Sequence, residues 1–255
     1  MRLTNIVALC EQSSHNVNVI QAVDRALRLL DLVVDAPDAQ TGAELATAAG
    51  INRSTAWRLL ATLEAHHLVE RDPDTNRYGI GLGAMRLAAL TPGGAIARRA
   101  RPVLERLALD AGEAATLTIG GASSLVVIDQ VDAPKVVNVR WTGRAIPVES
   151  SSVGKLVLAS WTDAEIVAYL GDRLTDGLRA DIAAARATGI GTTFSEYEQG
   201  LNGISAAARD RDGHPVAYLS VTGPDYRLSA SRTAEITPLL LGAARELEQA
   251  LGLTS

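Results

Sequence analysis

The chain has 255 residues, 47% of them hydrophobic and 21% charged, with a formal net charge of −5 and one cysteine. A chain of this length holds one or two domains with a full core and needs no disulfide or metal staple, while Cys10 alone can close neither an internal disulfide nor a multi-cysteine zinc site. No run approaches the roughly 20 apolar residues of a membrane span, and the apolar stretch from Ile6 to Leu9 is too short for a signal-peptide core, so a cytoplasmic protein with no membrane partner is expected.

Charge is unevenly spread. Residues 17–101 carry ten arginines against nine acidic residues, whereas residues 102–255 carry thirteen basic against nineteen acidic ones. Neither part is basic enough to announce nucleic acid by charge alone. Of the 24 cationic residues only Lys135 and Lys155 are lysine. Guanidinium forks suit phosphate and guanine, although a GC-rich genome produces the same bias.

Residues 1–16 are polar and aperiodic, which predicts a flexible N-terminal arm. Val19, Val23, Ala26, Leu27, Leu30, Val33 and Val34 recur at helical spacing up to the breaker Asp35-Ala36-Pro37, which predicts an amphipathic helix. Thr41 followed by Glu44 reads as a capping box opening a short helix through Ala49, with Gly50 turning the chain out of it. Asn52 caps a third helix through Ser54, Leu59, Leu60 and Leu63 toward His66. Two strand-like runs follow, Leu68–Arg71 and Arg77–Ile80, separated by the turn-rich Asp72-Pro73-Asp74-Thr75-Asn76.

A hairpin directly after a helix-turn-helix is the layout of a winged helix, whose second motif helix enters a major groove of double-stranded DNA while the wing reaches the neighbouring backbone. Arg53, Ser54, Thr55, Trp57 and Arg58 sit at the start of that helix and Arg77 on the wing. An arginine there can fork onto guanine, Ser54 and Thr55 can meet phosphate or a thymine methyl, and Trp57 is read as packing or a backbone contact. The alternative for any isolated arginine pair is a solvated helix face.

Helical runs over 82–90 and 95–110, broken at Thr91-Pro92-Gly93-Gly94, read as linker helices. Three β-rich runs then form a meander, Ala115–Ile119, Leu125–Val131 and Val136–Trp141. Helices are predicted from Val153 to Ser160, from a capping box at Thr162 and Glu165, and over Leu178–Thr188. Two further β-rich runs, Ile204–Arg209 and Val216–Thr222, flank Asp210–His214. Thr237 and Pro238 read as cap and first residue of a closing helix to Leu251. The expected fold class is α+β: a winged helix-turn-helix over 17–81, linker helices over 82–110, and a GAF/PAS-like domain over 111–255 with an antiparallel sheet flanked by helices.

In this second part Ser152 and Val153 lie where loop becomes helix, so backbone N–H groups and the positive end of the helix dipole converge on a natural anion site. Ser220 and Thr222 alternate on one strand face and could supply its hydroxyls. The competing reading makes Ser152 a plain N-cap and leaves the hydroxyls satisfied locally.

Several stretches together resemble the IclR-type bacterial transcriptional regulators, from about residue 19 to the end. They are Val23-Asp24-Arg25-Ala26-Leu27, Asn52-Arg53-Ser54-Thr55-Ala56-Trp57-Arg58-Leu59-Leu60, Arg77-Tyr78-Gly79-Ile80-Gly81, the segment from Ile146 to Lys155, the segment from Glu196 to Ile204, and Val221-Thr222-Gly223-Pro224. Their order and spacing carry the resemblance. It implies a dimer or dimer of dimers that binds palindromic promoter sites and responds to a small metabolite, repressing or activating neighbouring catabolic genes. By position it implies Arg25, Arg53, Thr55 and Arg58 as DNA contacts with Ser54 and Trp57 beside them, and an effector pocket lined by Ser152, Val153, Thr193, Leu201, Gly203, Ser220 and Thr222. Where relatives that bind small organic acids carry an acidic residue and a cysteine, this chain has Thr193 and Gly203.

Enzyme signals are weak. Ser152-Val153-Gly154-Lys155 fits Ser-x-x-Lys but has no Lys-Thr-Gly partner, Leu156 breaks the phosphate-loop pattern after Gly154-Lys155, and Gly79-x-Gly81-x-x-Ala84 lacks the strand context of a dinucleotide fingerprint. His15, His66, His67 and His214 show no metal-ligand spacing. No cofactor, metal or catalytic residue is expected. Two other classes stay open: a metabolite sensor whose winged helix contacts protein, and an enzyme acting on a small acid.

Overall fold

The computed structural model describes residues 20–36, 38–121, 124–133 and 140–254. The chain divides between Gly94 and Ala95 into two compact units.

The first unit runs α1 (Gln21–Asp35), β1 (Gln40–Thr41), α2 (Gly42–Ala48), α3 (Arg53–Ala65), β2 (Val69–Arg71), β3 (Arg77–Ile80) and α4 (Leu82–Leu90). Both predicted caps form. The Thr41 hydroxyl accepts from the Glu44 amide while the Glu44 carboxylate accepts from the Thr41 amide at 2.7 Å, and Asn52 Oδ1 accepts from the Thr55 amide at 2.8 Å. The Thr41 amide, then its hydroxyl, holds the Glu44 carboxyl below its usual 4.5. This cap is therefore fully present above about pH 4.5 and lost as pH falls through the lower folded value.

The strands pair antiparallel in the order β1-β3-β2, so the hairpin gains a third strand too short to show in the sequence pattern. Asp72 shapes the wing turn by accepting the amides of Asp74 and Thr75 at 2.8 and 3.0 Å. The core is Leu29, Val33, Leu45, Ala56, Leu60, Leu63, Val69 and Tyr78. Here α1 departs from expectation: Leu29 and Val33 point inward, while Val23, Leu27 and Val34 are exposed and Val19 lies outside the described residues. A helix carrying apolar residues on two faces offers two possible stripes, and packing against α2 and α3 selects the one through Leu29.

The second unit contains α5 (Pro92–Ala111) from Ala95 onward, its first three residues falling in the first unit, then β4 (Ala114–Gly121), β5 (Ser124–Val131), β6 (Ala145–Ile146), α6 (Ser152–Ala159), α7 (Asp163–Leu170), α8 (Asp176–Thr188), β7 (Ile190–Phe194), β8 (Leu201–Arg209), β9 (Pro215–Pro224) and α9 (Ala230–Leu251). Six antiparallel strands form one sheet in the order β6-β5-β4-β9-β8-β7. Alternation sends Leu117, Ile204, Ala206, Leu219 and Val221 to one face against α5 and α9, and Leu125, Ala207 and Tyr218 to the other against α6, α7 and α8. Burial raises the Tyr218 phenol well above its usual pKa.

Four sequence expectations need correction or restriction. The expected break between the two linker helices is present but narrows to Thr91: Pro92-Gly93-Gly94 already belongs to the second helix, because proline is suited to a first helical position and the Thr91 hydroxyl accepts from the Gly94 amide. Strand β7 matches no element expected from the sequence pattern. Residues 136–139 of the third meander run lie outside the described residues, and among the described strands β6 pairs with the free edge of β5. Finally, α9 starts at the Ser229 cap rather than at Thr237; Pro238 sits inside it on an exposed position, where water reaches the carbonyl that proline leaves without a donor.

Gly154 stands where α6 crosses the preceding turn. A Cβ there would lie 2.0 Å from the Val148 carbonyl oxygen. Gly154→Ala is expected to destabilise this unit by about 3 kcal/mol or more, because a backbone carbonyl cannot rotate away as a side chain can. Urea unfolding of the variant checks this; a midpoint equal to that of the unmodified chain would refute it.

Candidate functional site

On α3 the buried stripe is Ala56, Leu60 and Leu63. Arg53, Ser54, Trp57 and Arg58 are all exposed, Trp57 by 63%. With Thr41, Gly42, Ala43, Arg71, Asn76 and Tyr78 they line an open groove of about 630 Å³ between this helix, the start of α2 and the wing. Trp57 is therefore not a packing residue, contrary to that part of its sequence reading. Ser54 donates to Asn52 Oδ1 at 2.9 Å, which ties its side chain to the helix cap.

Three of the expected contacts lie elsewhere. Thr55 is half-buried in the first turn and Arg25 half-buried on α1. The Arg77 guanidinium donates to the Ala39 carbonyl and lies 3.6 Å from Glu44, clasping β1 to the wing. Arg71, which faces Tyr78 in the β2–β3 register and lines the groove, is the basic wing residue that sequence reading missed. Its signal was its place in the hairpin.

The second site is a cavity of about 40 Å³ between the first turn of α6 and the sheet. All seven positions expected for an effector line it: Ser152, Val153, Thr193, Leu201, Gly203, Ser220 and Thr222. They come from α6, β7, β8 and β9. Thr116, Val127, Trp141, Ile146, Ser151, Tyr197 and Asn202 complete the wall, and no charged side chain is among these lining residues. Thr116 was legible in principle, since it alternates with the core residues Ala115 and Leu117 and pairs in register with Ser220. Trp141 and Tyr197 were not, because they sit on loops; their ring centres lie 5.2 Å apart with the planes tilted by 42°.

The α6 cap is Ser151, whose hydroxyl accepts from the Gly154 amide at 3.0 Å and whose carbonyl accepts from Lys155. Ser152 is therefore not the N-cap. Its hydroxyl contacts Ser205 Oγ at 2.7 Å, and Ser205 contacts Ser220 Oγ at 2.7 Å. The amides of Ser152 and Val153 remain as first-turn donors that no helical carbonyl can satisfy. Three hydroxyls in a row can hand on a hydrogen bond in either direction, so the Ser152 end can donate to an acceptor in the cavity while Ser220 accepts, or the reverse. Ser205→Ala removes the middle member and strands two buried hydroxyls. It is expected to cost about 1–3 kcal/mol in thermal or denaturant unfolding, and a loss below about 0.5 kcal/mol would show that the row contributes little.

Gly203 opens the cavity. A Cβ there would meet Thr193 Oγ1 at 3.1 Å and Ser152 Oγ at 3.4 Å. Away from this site, the β8–β9 turn brings Asp210, Asp212 and His214 within 4.8 Å of one another, a grouping the linear spacing of the histidines did not show. Asp210 Oδ1 already accepts the amides of Asp212 and His214 at 3.0 and 2.8 Å, which accounts for the cluster as turn architecture.

A winged helix with arginines on the exposed face of its third helix, followed in the chain by a sheet domain around a small polar cavity, defines a ligand-responsive DNA-binding regulator. Residues 22–73 match the IclR helix-turn-helix domain and residues 89–249 match the bacterial transcriptional regulator IclR C-terminal domain. The chain belongs to the IclR family of bacterial transcriptional regulators. It is similar to the HTH-type transcriptional regulator BhcR of Paracoccus denitrificans, 30% identical over 89% of this chain and 86% of that protein. It is also similar to the acetate operon repressor of Salmonella typhimurium, 26% identical over 92% and 91%. In fold it matches an IclR homologue from Microbacterium hydrocarbonoxydans complexed with 4-hydroxybenzoate, with a TM-score of 0.76, 22% identity and coverage of 91% of this chain and all of that one. Among the described residues no helix is long and apolar enough to cross a membrane.

Proposed function

We propose that this regulator is a cytoplasmic repressor of neighbouring metabolic genes that binds a palindromic operator as a homodimer or dimer of dimers and is modulated by a small carboxylate. In this reading residues 17–81 bind DNA, residues 111–255 bind the effector, and the helices over 82–110 connect them. Arg53, Trp57, Arg58 and Arg71 face the major groove and adjoining backbone, Ser54 and Thr55 hold the start of the reading helix, and Arg25 and Arg77 support it from outside the groove.

The observation that carries the reading is that seven positions scattered over α6, β7, β8 and β9 line one cavity at a helix N-terminus. A carboxylate there meets the Ser152 and Val153 amides and the positive end of the α6 dipole without needing a cationic side chain. A cavity of this volume has room for only a few water-sized groups, which favours a short aliphatic acid over an aromatic one. Two relatives, the acetate operon repressor and AllR, are repressors by name, which favours repression here. For self-association the support is the exposed stripe formed by Ile20 at the cap of α1 with Val23, Leu27 and Val34 on it, whose spacing of three, four and seven residues suits a second copy of the helix.

The test is a gel-shift of the full chain on its own upstream intergenic DNA, with acetate, lactate, malonate and benzoate added in turn. Sequence-specific retention that weakens steeply with salt, and changes with one of the short acids, is the expected result. Retention on no upstream fragment at low salt would overturn DNA recognition, and retention indifferent to every acid would overturn the carboxylate reading.

A further inference from the structure

Lys155 is the single lysine or arginine buried among the described residues, with 1% of its side chain exposed. It lies one turn along α6 from Ser152 and does not line the cavity. Its ammonium donates to the Thr192 carbonyl at 3.0 Å and to Glu196 Oε2 at 2.6 Å, and it pairs with Asp181 Oδ2 at 2.7 Å. Placing a lone cation in an apolar layer is unfavourable unless each donor is met, and hydrophobic residues of similar volume would pack there at least as well. The arrangement therefore asks for a role other than stability.

The two carboxylates lead to different places. Asp181 is on α8 and simply joins two helices. Glu196 is on the loop Ser195–Gly200, and the next residue, Tyr197, lines the cavity and packs its ring at a tilt against Trp141. Trp141 is itself fixed, its amide donating to Gln130 Oε1 at 2.8 Å and the Arg144 guanidinium lying 5.5 Å from its ring centre. The loop is pinched at its base: Ser195 adopts φ +59°, its amide donates to the Leu201 carbonyl at 3.0 Å, and its hydroxyl accepts from the Gly200 amide at 3.2 Å. A left-handed non-glycine residue is sparsely populated in open chain, so this conformation is held by its surroundings. Glu196 ties the pinched loop to α6 and also accepts the Phe194 amide at 3.2 Å.

We propose that Lys155 is a positioning residue for an aromatic lid: through Glu196 it holds Tyr197 against Trp141 and so governs passage of small solutes into the cavity. The helix that offers its N-terminus to the ligand thus also latches the cover. This proposal rests on the cavity being the effector site.

The test uses the full chain with Trp57→Phe and Trp161→Phe, which leaves Trp141 as the only one of three tryptophans. Acrylamide quenching of Trp141 then reports entry of a small planar amide past the lid. Glu196→Gln keeps the side chain's shape and removes the charge; it is expected to raise the quenching constant about twofold or more, as local opening exposes the indole. Asp181→Asn breaks the lysine's other ion pair and is expected to leave that constant unchanged. A Glu196→Gln variant quenched like its parent, or an Asp181→Asn variant quenched as strongly as Glu196→Gln, would overturn the proposal and reduce Lys155 to a staple. Both carboxylates are partly exposed, so neither variant need unfold the domain. If Glu196→Gln frees Trp141 while no acid protects it in the parent, the latch stands and the effector assignment fails.

Discussion

Arg53→Ala and Arg58→Ala are each expected to weaken binding to the upstream operator by about five- to 150-fold, the range that corresponds to the 1–3 kcal/mol of a bidentate arginine–guanine contact. Both side chains are exposed, line the same groove and take no part in the core of Ala56, Leu60 and Leu63, so removing either leaves that core untouched. Thermal stability should stay unchanged while the binding curve moves. Arg77→Ala is the contrasting case. Its guanidinium clasps the Ala39 carbonyl and Glu44, so its loss is expected to loosen β1 and lower the melting temperature, with a weaker, sequence-independent effect on DNA. If Arg53→Ala and Arg58→Ala both bind specific and scrambled duplexes in the same ratio as the unmodified chain, α3 is not the reading helix.

The other large effect is expected at Gly203. Gly203→Leu places a branched side chain into a cavity of about 40 Å³, against Thr193 and Ser152, and should abolish the response to any small acid while DNA binding persists. Gly203→Ala is the graded version. Its methyl group meets Thr193 Oγ1 at 3.1 Å, a contact relieved by a small hydroxyl rotation, so the fold survives and acid affinity is expected to fall about tenfold or more. Titration of each variant with the responsive acid, followed by gel-shift and by thermal shift, reads both quantities. Leucine at this position with an undiminished acid response would place the ligand elsewhere.

Much of the fold was legible because its signals are local. Thr41 and Glu44, Asn52, and Thr162 with Glu165 announce helix starts through atoms only three residues apart, and all three caps form. The wing was legible because its turn residues are crowded between two short alternating runs. What escaped depends on partners distant in the chain. Strand β7 is a five-residue run whose identity comes from pairing with β8, and Leu29 rather than Leu27 faces inward on α1 because of where α2 and α3 stand. Pro238 misled for the opposite reason: a local rule was overridden by an exposed helix face that tolerates it.

The candidate cavity shows the same division. Its seven expected positions came from a resemblance spread over the whole chain, and their convergence lies in the β7-β8-β9 register, where Thr193 pairs with Gly203 and Gly203 with Thr222. Ser205 was overlooked although it continues that alternation by two residues. Tyr197 and Trp141 lie on irregular segments, where no periodicity tells which way a ring points.

The sheet order has a consequence for synthesis. The hairpin of β4 and β5 is joined to β8 and β7 only through β9, with Ala114 beside Thr222. On a ribosome adding about 5–20 residues per second, the inner edge of β4 emerges some 5–20 seconds before its mate. For that interval a strand destined for the middle of the sheet presents its amides and carbonyls as an open edge. The nascent regulator is thus most exposed to mispairing during the stretch in which α6, α7 and α8 are being made. The candidate cavity, which is lined from both β4 and β9, cannot form before β9 is made, so it is available only to chains that have completed this long-range pairing.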